Sequence, residues 1–433
     1  MIQKKNRNVI LISLVLICVS MIIPNVVYAK KGPKDPKGNG ISVGASKVII
    51  TPNTTTLSDE GVNDDLYARC IVIEWKGKFV IMVSLDVQNH GLTDIVEPIA
   101  AMVEAEYGIN TDYLLIGSTH SHGSAVDIVG IYGGNRNSYI VNVYRPMVIE
   151  KVVAAIGEAL NDMRSAAVHV GSIWVEGLTF NRRSYPEPGP TDDELTVLKF
   201  VDAEGETIAT LVNFATHPVV TMTGYLTSAD FCGFLCERLE EDHGGIGVYF
   251  NGAQGNINPN MYIKYDSPWD RYNDTQYEAA VDYGNAIAEW ANDALEGAKV
   301  FKNLPLQLAQ ISLELPIENS GFIYLMENGL INRDFYETEE GYKLTTYISG
   351  VRMGPIEMVT VPGELFSEIG LFVKTYMPKY GFLLGLTPEQ LGYIIPQDQW
   401  APGTGEVGES NSMGYQTAPL ITDALVEVVE LLD

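Results

Sequence analysis

The chain has only six histidines, and two of them stand one residue apart in Ser118-Thr119-His120-Ser121-His122-Gly123. Side chains two residues apart in extended backbone point to the same side. Both imidazoles could then reach one metal ion, or one could bind it while the other moves protons beside it. The same residues also read as a pair of ordinary hydrogen-bonded histidines. A third histidine, His217, sits in Asn213-Phe214-Ala215-Thr216-His217-Pro218, where an apolar run again ends in Thr-His and proline stops the strand ladder. Imidazole and carboxylate together suit zinc, and a catalytic zinc takes about three protein ligands while keeping one position open. The candidate carboxylate is Glu364 in Val361-Pro362-Gly363-Glu364, just past another β-rich run. It reads equally as a helix-start glutamate at the favourable end of the dipole. The amide- and glycine-rich stretch from Phe250 to Asn260 is either an oxyanion or substrate cradle or a cluster of tight turns.

These residues need a scaffold that ends strands at them. Arg69 to Trp75 and Lys78 to Ser84 form a hairpin pattern around Lys76-Gly77. Val96 to Tyr107 has helical spacing, and Tyr113 to Gly117 is a short buried-strand run leading into Ser-Thr-His. Ser138 to Met163, Phe231 to Asp242, Asp274 to Glu296 (with Asp274 as N-cap) and Thr422 to Leu432 read as helices. Val168 to Val175, Leu195 to Val201, Thr207 to Ala215, Ile246 to Asn251, Leu306 to Pro316 and Ile356 to Pro362 read as strands. The alternation predicts an α/β fold of mixed β-sheets covered by helices, with 41–433 forming a single large catalytic domain. Folds of this kind present their working residues where strands end.

Residues 1–29 read as an export signal of bacterial type. Lys4, Lys5 and Arg7 precede an apolar run from Val9 to Ile23, and Val27-Tyr28-Ala29 suits a signal peptidase. The run is shorter than the roughly 20 residues a membrane-spanning helix needs, so the expectation is a secreted protein without a stable membrane span, an uncleaved anchor being the alternative. Residues 30–40, rich in Lys, Pro and Gly, read as a disordered tether. The chain carries 28 basic and 55 acidic residues, net charge −27, and losing the three leader cations takes it to −30. Such a surface repels nucleic acid and excludes it as a partner. Cys70, Cys232 and Cys236 remain after the signal, an odd number, and they read as small buried apolar residues rather than a disulfide framework. Asp64, Asp65 and Asp86 could hold an additional Ca2+ or Mg2+, but read better as a solvated acidic face.

Taken in order, the segments resemble the catalytic domain of the neutral (alkaline, non-lysosomal) ceramidase family. That family shows a strand ending in Thr-His-x-His, an Asn-Arg segment, a strand ending in histidine, a Gly-Asp/Asn-x-Ser-Pro-Asn loop, a Pro-Gly-Glu and a late tyrosine. The resemblance runs from about Gly44 to the C-terminus. It implies one zinc per chain, bound by His120, His217, Glu364 and Tyr393, with His122 beside the metal. It also implies that Arg182, in Asn181-Arg182-Arg183-Ser184, is the family's essential arginine, with Arg183 as its rival. Two departures stand out. Asn258 in Asn258-Pro259-Asn260 occupies the place of the family's catalytic serine, and asparagine cannot act as an acyl-accepting nucleophile. The chain also ends soon after its last helix, so the family's C-terminal immunoglobulin-like domain is expected to be absent.

The chemistry implied by the resemblance needs no serine. Zinc brings the pKa of a bound water towards about 7, and that water attacks a linear amide (N-acyl) bond of a small-molecule or lipid substrate. His122 then serves proton transfer, and Tyr393 or Asn258 steadies the oxyanion. Arg182 holds an anionic or carbonyl group of the substrate. Two other readings remain open. One is a zinc hydrolase of a different small amide or ester, derived from the envelope or from carbohydrate. The other is a non-catalytic extracellular binding module on the same fold.

Overall fold

The computed structural model describes residues 40–53, 61–124, 138–183, 189–222, 226–260, 275–403 and 408–433. The expected signal at 1–29, nearly all of the tether at 30–40 and the N-cap expected at Asp274 lie outside the described residues.

The chain opens with β1 (Ile41–Ile49), β2 (Tyr67–Trp75) and β3 (Lys78–Leu85), followed by α1 (Glu97–Tyr107), β4 (Leu114–Ser118) and α2 (Arg145–Asn161). Next come β5 (Arg164–Trp174), β6 (Thr179–Asn181), β7 (Glu194–Asp202), β8 (Thr207–Phe214), α3 (Asp230–His243), β9 (Ile246–Asn251) and β10 (Ile257–Pro259). The third stretch holds α4 (Thr275–Glu296), β11 (Lys299–Phe301), β12 (Leu306–Ile317), α5 (Ser320–Glu327), β13 (Tyr336–Thr338), β14 (Gly341–Met353) and β15 (Ile356–Thr360). The last contains β16 (Glu364–Leu365), α6 (Ser367–Lys374), β17 (Tyr380–Leu384), β18 (Tyr393–Ile394) and α7 (Thr417–Leu432). The β2–β3 hairpin turns through Lys76 and Gly77, both at positive φ (51° and 80°), as a two-residue loop between twisted strands requires. The helix expected over 138–163 begins with a π-helical turn, Ile140–Tyr144, ahead of α2.

The architecture is the expected one, mixed sheets covered by helices. A nine-stranded sheet runs β4-β3-β2-β1-β5-β7-β8-β9, with β11 also paired to β5. Its neighbours are antiparallel except β3/β4 and β8/β9, which are parallel. A five-stranded sheet runs β12-β14-β15-β17, with β13 on β14 and with β15 parallel to β17. Alternate residues of β2 and β3 go to opposite faces and both faces are buried, which is why these strands read as unbroken apolar runs. Cys70, Val72, Ile81 and Val83 pack under α1 and α2, while Ile71, Ile73, Val80 and Met82 join Val351, Met358 and Phe382 of the second sheet. Helices α3 and α4 cover β7 to β9, and Cys232 and Cys236 lie buried and unpaired within that layer. Asp86 departs from the acidic-face reading. It is fully buried and ion-paired with Arg69, while Asp64 is half-buried and accepts the Ala229 amide and Asp65 alone is exposed.

One geometric fact shapes everything at the strand ends. β4 and β8 are six strand spacings apart in the sheet, about 29 Å if it were flat at ~4.8 Å per strand. The rings of His120 and His217, which follow them, are 5.0 Å apart. The sheet therefore folds over on itself. Ser84 Oγ donates to the Tyr249 carbonyl across the fold at 2.6 Å. The Asn251 amide donates to the Thr119 carbonyl at 2.5 Å, and the Tyr249 hydroxyl reaches both Asn251 Oδ1 and the Phe214 carbonyl at 2.8 Å.

Glycines cut the seats into which the covering helices fit. A Cβ on Gly44 of β1 would stand 1.9 Å from the Ala159 carbonyl oxygen of α2, and one on Gly171 of β5 would stand 2.1 Å from that of Ala294 in α4. In Gly44→Ala, α2 must lift off the sheet. We expect a loss of about 1–3 kcal/mol, seen as a lower urea midpoint at unchanged slope. An unshifted midpoint would show that α2 does not need this close seat.

Candidate metal centre

β4 ends at Ser118, and the ladder is continued by single bonds, Thr119 N–H to the Leu85 carbonyl (2.8 Å) and His120 N–H to that of Val87 (3.0 Å). His120 then takes a φ of 67°, a left-handed conformation rare for a side chain of this size. The extended Thr-His-Ser-His segment expected from sequence is thus not present. The two rings meet because the chain turns between them and His122 N–H anchors on the Pro218 carbonyl at 3.0 Å. Their centroids are 4.8 Å apart, edge to face. The third histidine follows β8, and its backbone N–H is held by the Ile257 carbonyl at 3.0 Å. Glu364 is not a helix-start residue. It lies in the two-residue strand β16, paired in parallel with β18 so that Glu364 stands opposite Tyr393.

Each ligand candidate is aimed by a second contact. His120 Nδ1 donates to the Gln88 carbonyl at 2.7 Å and His217 Nδ1 to the Gln254 carbonyl at 2.8 Å, which leaves both Nε2 atoms as bare acceptors. Gln390 donates to Glu364 Oε1 at 2.5 Å, leaving Oε2 to face the histidines. Oε2 is 3.3 Å from His120 Nε2 and 3.0 Å from His217 Nε2. His217 Nε2 and Glu364 Oε2 are nevertheless both buried without a hydrogen-bond partner. Two buried acceptors 3.0 Å apart, neither with a proton to offer the other, are what a cation site looks like. His120, His122 and His217 together bring their ring nitrogens within 4.8 Å of one another. Neutral imidazoles beside an anionic carboxylate are the protonation states metal binding requires. Burial first, then Arg182, pushes His217 down to about 4. Burial, reinforced by His120 and His217, also holds His122 well below its ordinary value. Burial works to raise Glu364, but the two histidines beside it outweigh this and hold it well below the usual carboxylate range.

The resemblance-derived residues are brought to the same place. Tyr393 is almost fully buried, with its ring 6.3 Å from that of His217. Burial and the adjacent Glu364 raise its hydroxyl above the ordinary tyrosine value, against the opposing pull of Arg182. Arg182 Nη2 donates to the Tyr393 hydroxyl and to the Gly255 carbonyl, both at 2.8 Å. The two arginines differ in their partners. Arg183 points away, buried in an ion pair with Glu409 at 2.5 Å and over the Phe366 ring. Asn258 lies in β10, opposite Phe180 of β6, the strand that leads into Arg182. Its Oδ1 is buried without a partner, and among the described residues no hydrogen bond links its side chain to the histidines. The rest of the amide-rich loop is largely a turn cluster. Asn251 ties the strand tips, and Asn256 accepts the Ser367 amide and donates to Glu368.

Sequence reasoning missed Gln88 and Gln390 and met Gln254 only as part of the amide-rich stretch; these three orient the ligand candidates. It also missed His90, whose Nε2 donates to the Pro388 and Ile116 carbonyls at 2.7 and 3.0 Å while its own carbonyl takes the Gln390 amide. The available signal was the polar run Asp86-Val87-Gln88-Asn89-His90 directly after the apolar β3.

Residues 53–262 match the family described as neutral/alkaline non-lysosomal ceramidase, N-terminal. That match is a likeness over part of the chain. A neutral ceramidase of Drosophila pseudoobscura pseudoobscura is 24% identical over 229 residues, 46% of this chain and 32% of that protein, so the alignment spans about a third of the relative's length. The fold is shared more widely than the alignment. The crystal structure of the neutral ceramidase from Pseudomonas aeruginosa superposes with a TM-score of 0.72 at 17% identity, covering 91% of this chain and 75% of that one. A ceramidase complexed with C2 superposes at 0.71 and 15% identity, covering 90% and 75%. The ceramidase family match contains His120, His122, Arg182, His217 and Asn258 but stops short of Glu364 and Tyr393, which only the folded chain brings to the site.

His90 makes the frame of this site sensitive to acid. Burial pushes it down to about 4, against the hydrogen bonds to Pro388 and Ile116. An unfolded histidine titrates near about 6.5, so between those values the unfolded chain holds a proton that the folded one does not. Its stabilising contribution is complete above pH 6.5 and is lost as pH falls towards 4. In urea unfolding of the metal-free protein at pH 7, 5.5 and 4.5, His90→Gln should flatten this decline by about 1.4 kcal/mol per pH unit. Identical slopes would refute the assignment.

Proposed function

We propose that this chain is an exported, zinc-dependent hydrolase of linear amide bonds in N-acyl substrates, with N-acyl sphingoid bases of the ceramide type as the first candidates. One observation carries the metal reading, the convergence of His120 Nε2, His217 Nε2 and Glu364 Oε2 on one buried point. The donor set of two imidazoles and a carboxylate, with the Tyr393 oxygen alongside, suits zinc. Zinc held there supplies Lewis-acid polarisation of the scissile carbonyl and a water acidified to near neutrality.

The chain's own residues do the rest. Arg182 holds the Tyr393 oxygen in place and can bind a carbonyl or anionic group of the substrate through its remaining N–H groups. His122 stands beside the ligands, 3.3 Å from His120 Nε2, positioned for hydrogen bonding or proton exchange with the reacting atoms. Asn258 cannot supply a covalent nucleophile, but its amide can donate to a developing oxyanion, an effect of about 2.7–4 kcal/mol in the best cases. That same residue favours a second enzymatic reading, hydrolysis of a different small amide or ester, because the family's serine is the part that has changed. Export rests on the leader sequence, and no described helix is long and apolar enough to cross a membrane.

Elemental analysis of the purified protein should find about one zinc per chain. His120→Ala should lose both the metal and hydrolysis of N-acyl substrates, whereas Asn258→Ala should keep the metal. A protein that binds no metal and keeps its fold would instead be a binding module on this scaffold. A metalloprotein inert towards lipid amides but active on water-soluble amides or esters would favour the second reading.

A further inference from the structure

Gln88 touches both histidines of the Thr-His-Ser-His segment at once. Its backbone carbonyl accepts the His120 Nδ1 proton at 2.7 Å, and its side-chain Nε2 lies 3.3 Å from His122 Nδ1. An amide nitrogen only donates. His122 Nδ1 is therefore the acceptor, and in the neutral ring the proton sits on Nε2. We propose that Gln88 is the positioning residue that fixes this tautomer, making His122 a hydrogen-bond donor to the reacting carbonyl oxygen rather than a base.

A second contact agrees with this assignment. His122 Nε2 lies 3.3 Å from His120 Nε2, which is a bare acceptor because its own Nδ1 proton is committed to the Gln88 carbonyl. In the protein without metal, an N–H on His122 complements that lone pair, while a second bare nitrogen would oppose it. A doubly protonated ring is also disfavoured, since its Nδ1–H would confront the Gln88 N–H. A neutral imidazole whose Nε2 already carries a proton cannot take another there, so it cannot serve as a base at that nitrogen. It can polarise a carbonyl, as neutral imidazoles do in other enzymes. The inference rests on the hydrolase reading for its consequence but not for its geometry. Turning the amide over would present its oxygen to Nδ1 and reverse the tautomer, leaving His122 Nε2 bare beside the other two nitrogens.

The test is nitrogen-15 NMR of the histidine rings in the protein as isolated and after chelation, with the His122 signals identified by their loss in His122→Gln. In the wild-type protein His122 should show a protonated Nε2 and an unprotonated Nδ1. In Gln88→Glu the carboxylate can only accept, so the proton should move to Nδ1, and in Gln88→Leu the bias should disappear. The backbone carbonyl survives in both variants, so metal content in Gln88→Leu should match wild type while kcat falls about 10–100-fold. A wild-type ring protonated at Nδ1, or a Gln88→Glu ring still protonated at Nε2, would overturn the proposal without needing any activity. Absence of hydrolysis or of metal in the wild-type protein would instead sink the hydrolase reading and leave the tautomer assignment standing.

Discussion

The bond from the Asn251 amide to the Thr119 carbonyl is the tie on which the site depends. Without a closure of this kind the sheet would carry its two histidine-bearing tips at opposite margins. Tyr249 backs the tie by holding Asn251 Oδ1 and the Phe214 carbonyl with one hydroxyl, so the end of β8 is fastened to the same knot. All of these groups are buried. A buried amide or hydroxyl that loses its partner incurs the full desolvation cost, which makes the closure strongly specified. Gly117 shows how close the approach is, since a Cβ there would meet Thr387 at 2.5 Å and Phe250 at 2.8 Å.

The second sheet completes the arrangement from the other side. β15 and β17 run parallel, so both chains leave the sheet at the same end, one towards Glu364 and the other towards Tyr393. The short β16–β18 pairing then holds carboxylate and phenol in register. Glu389, adjacent to Gln390, makes a bidentate ion pair with Arg333 and accepts from Thr346, which pins the intervening loop to β14. The ligand candidates are thus set by strand ends, while the groups that aim them, the Gln88 and Gln254 carbonyls and the Gln390 side-chain amide, come from loops.

How much of this was readable in the residues depends on the kind of signal. Apolar runs ending in Thr-His located the tips after β4 and β8, and the α/β pattern followed from strand and helix spacing alone. The turn at His120 was not readable, because a positive φ is imposed there by bonds to Val87 and Pro218 that are distant in sequence. Nor could spacing separate Arg182 from Arg183, since the two differ only in what they meet, Tyr393 in one case and Glu409 in the other. Glu364 looked like a helix start because α6 does begin three residues later, and the pairing with Tyr393 that decides its role is non-local. β14 escaped notice because its middle mixes Thr345, Thr346 and Gly350 into an otherwise alternating strand. Supporting residues such as Gln390 have no spacing rule at all.

Because the imidazoles of His120 and His217 are already aimed by main-chain carbonyls, and the carboxylate of Glu364 by an amide, the cage owes its shape to the polypeptide and not to its guest. A zinc finger spends metal affinity on folding. Here the cage stands ready beforehand, so an ion can enter or leave with little structural upheaval. Which ion resides there is then a matter of supply and coordination preference in the surroundings. For an exported hydrolase of the kind proposed, that would make the identity of its working metal an environmental variable.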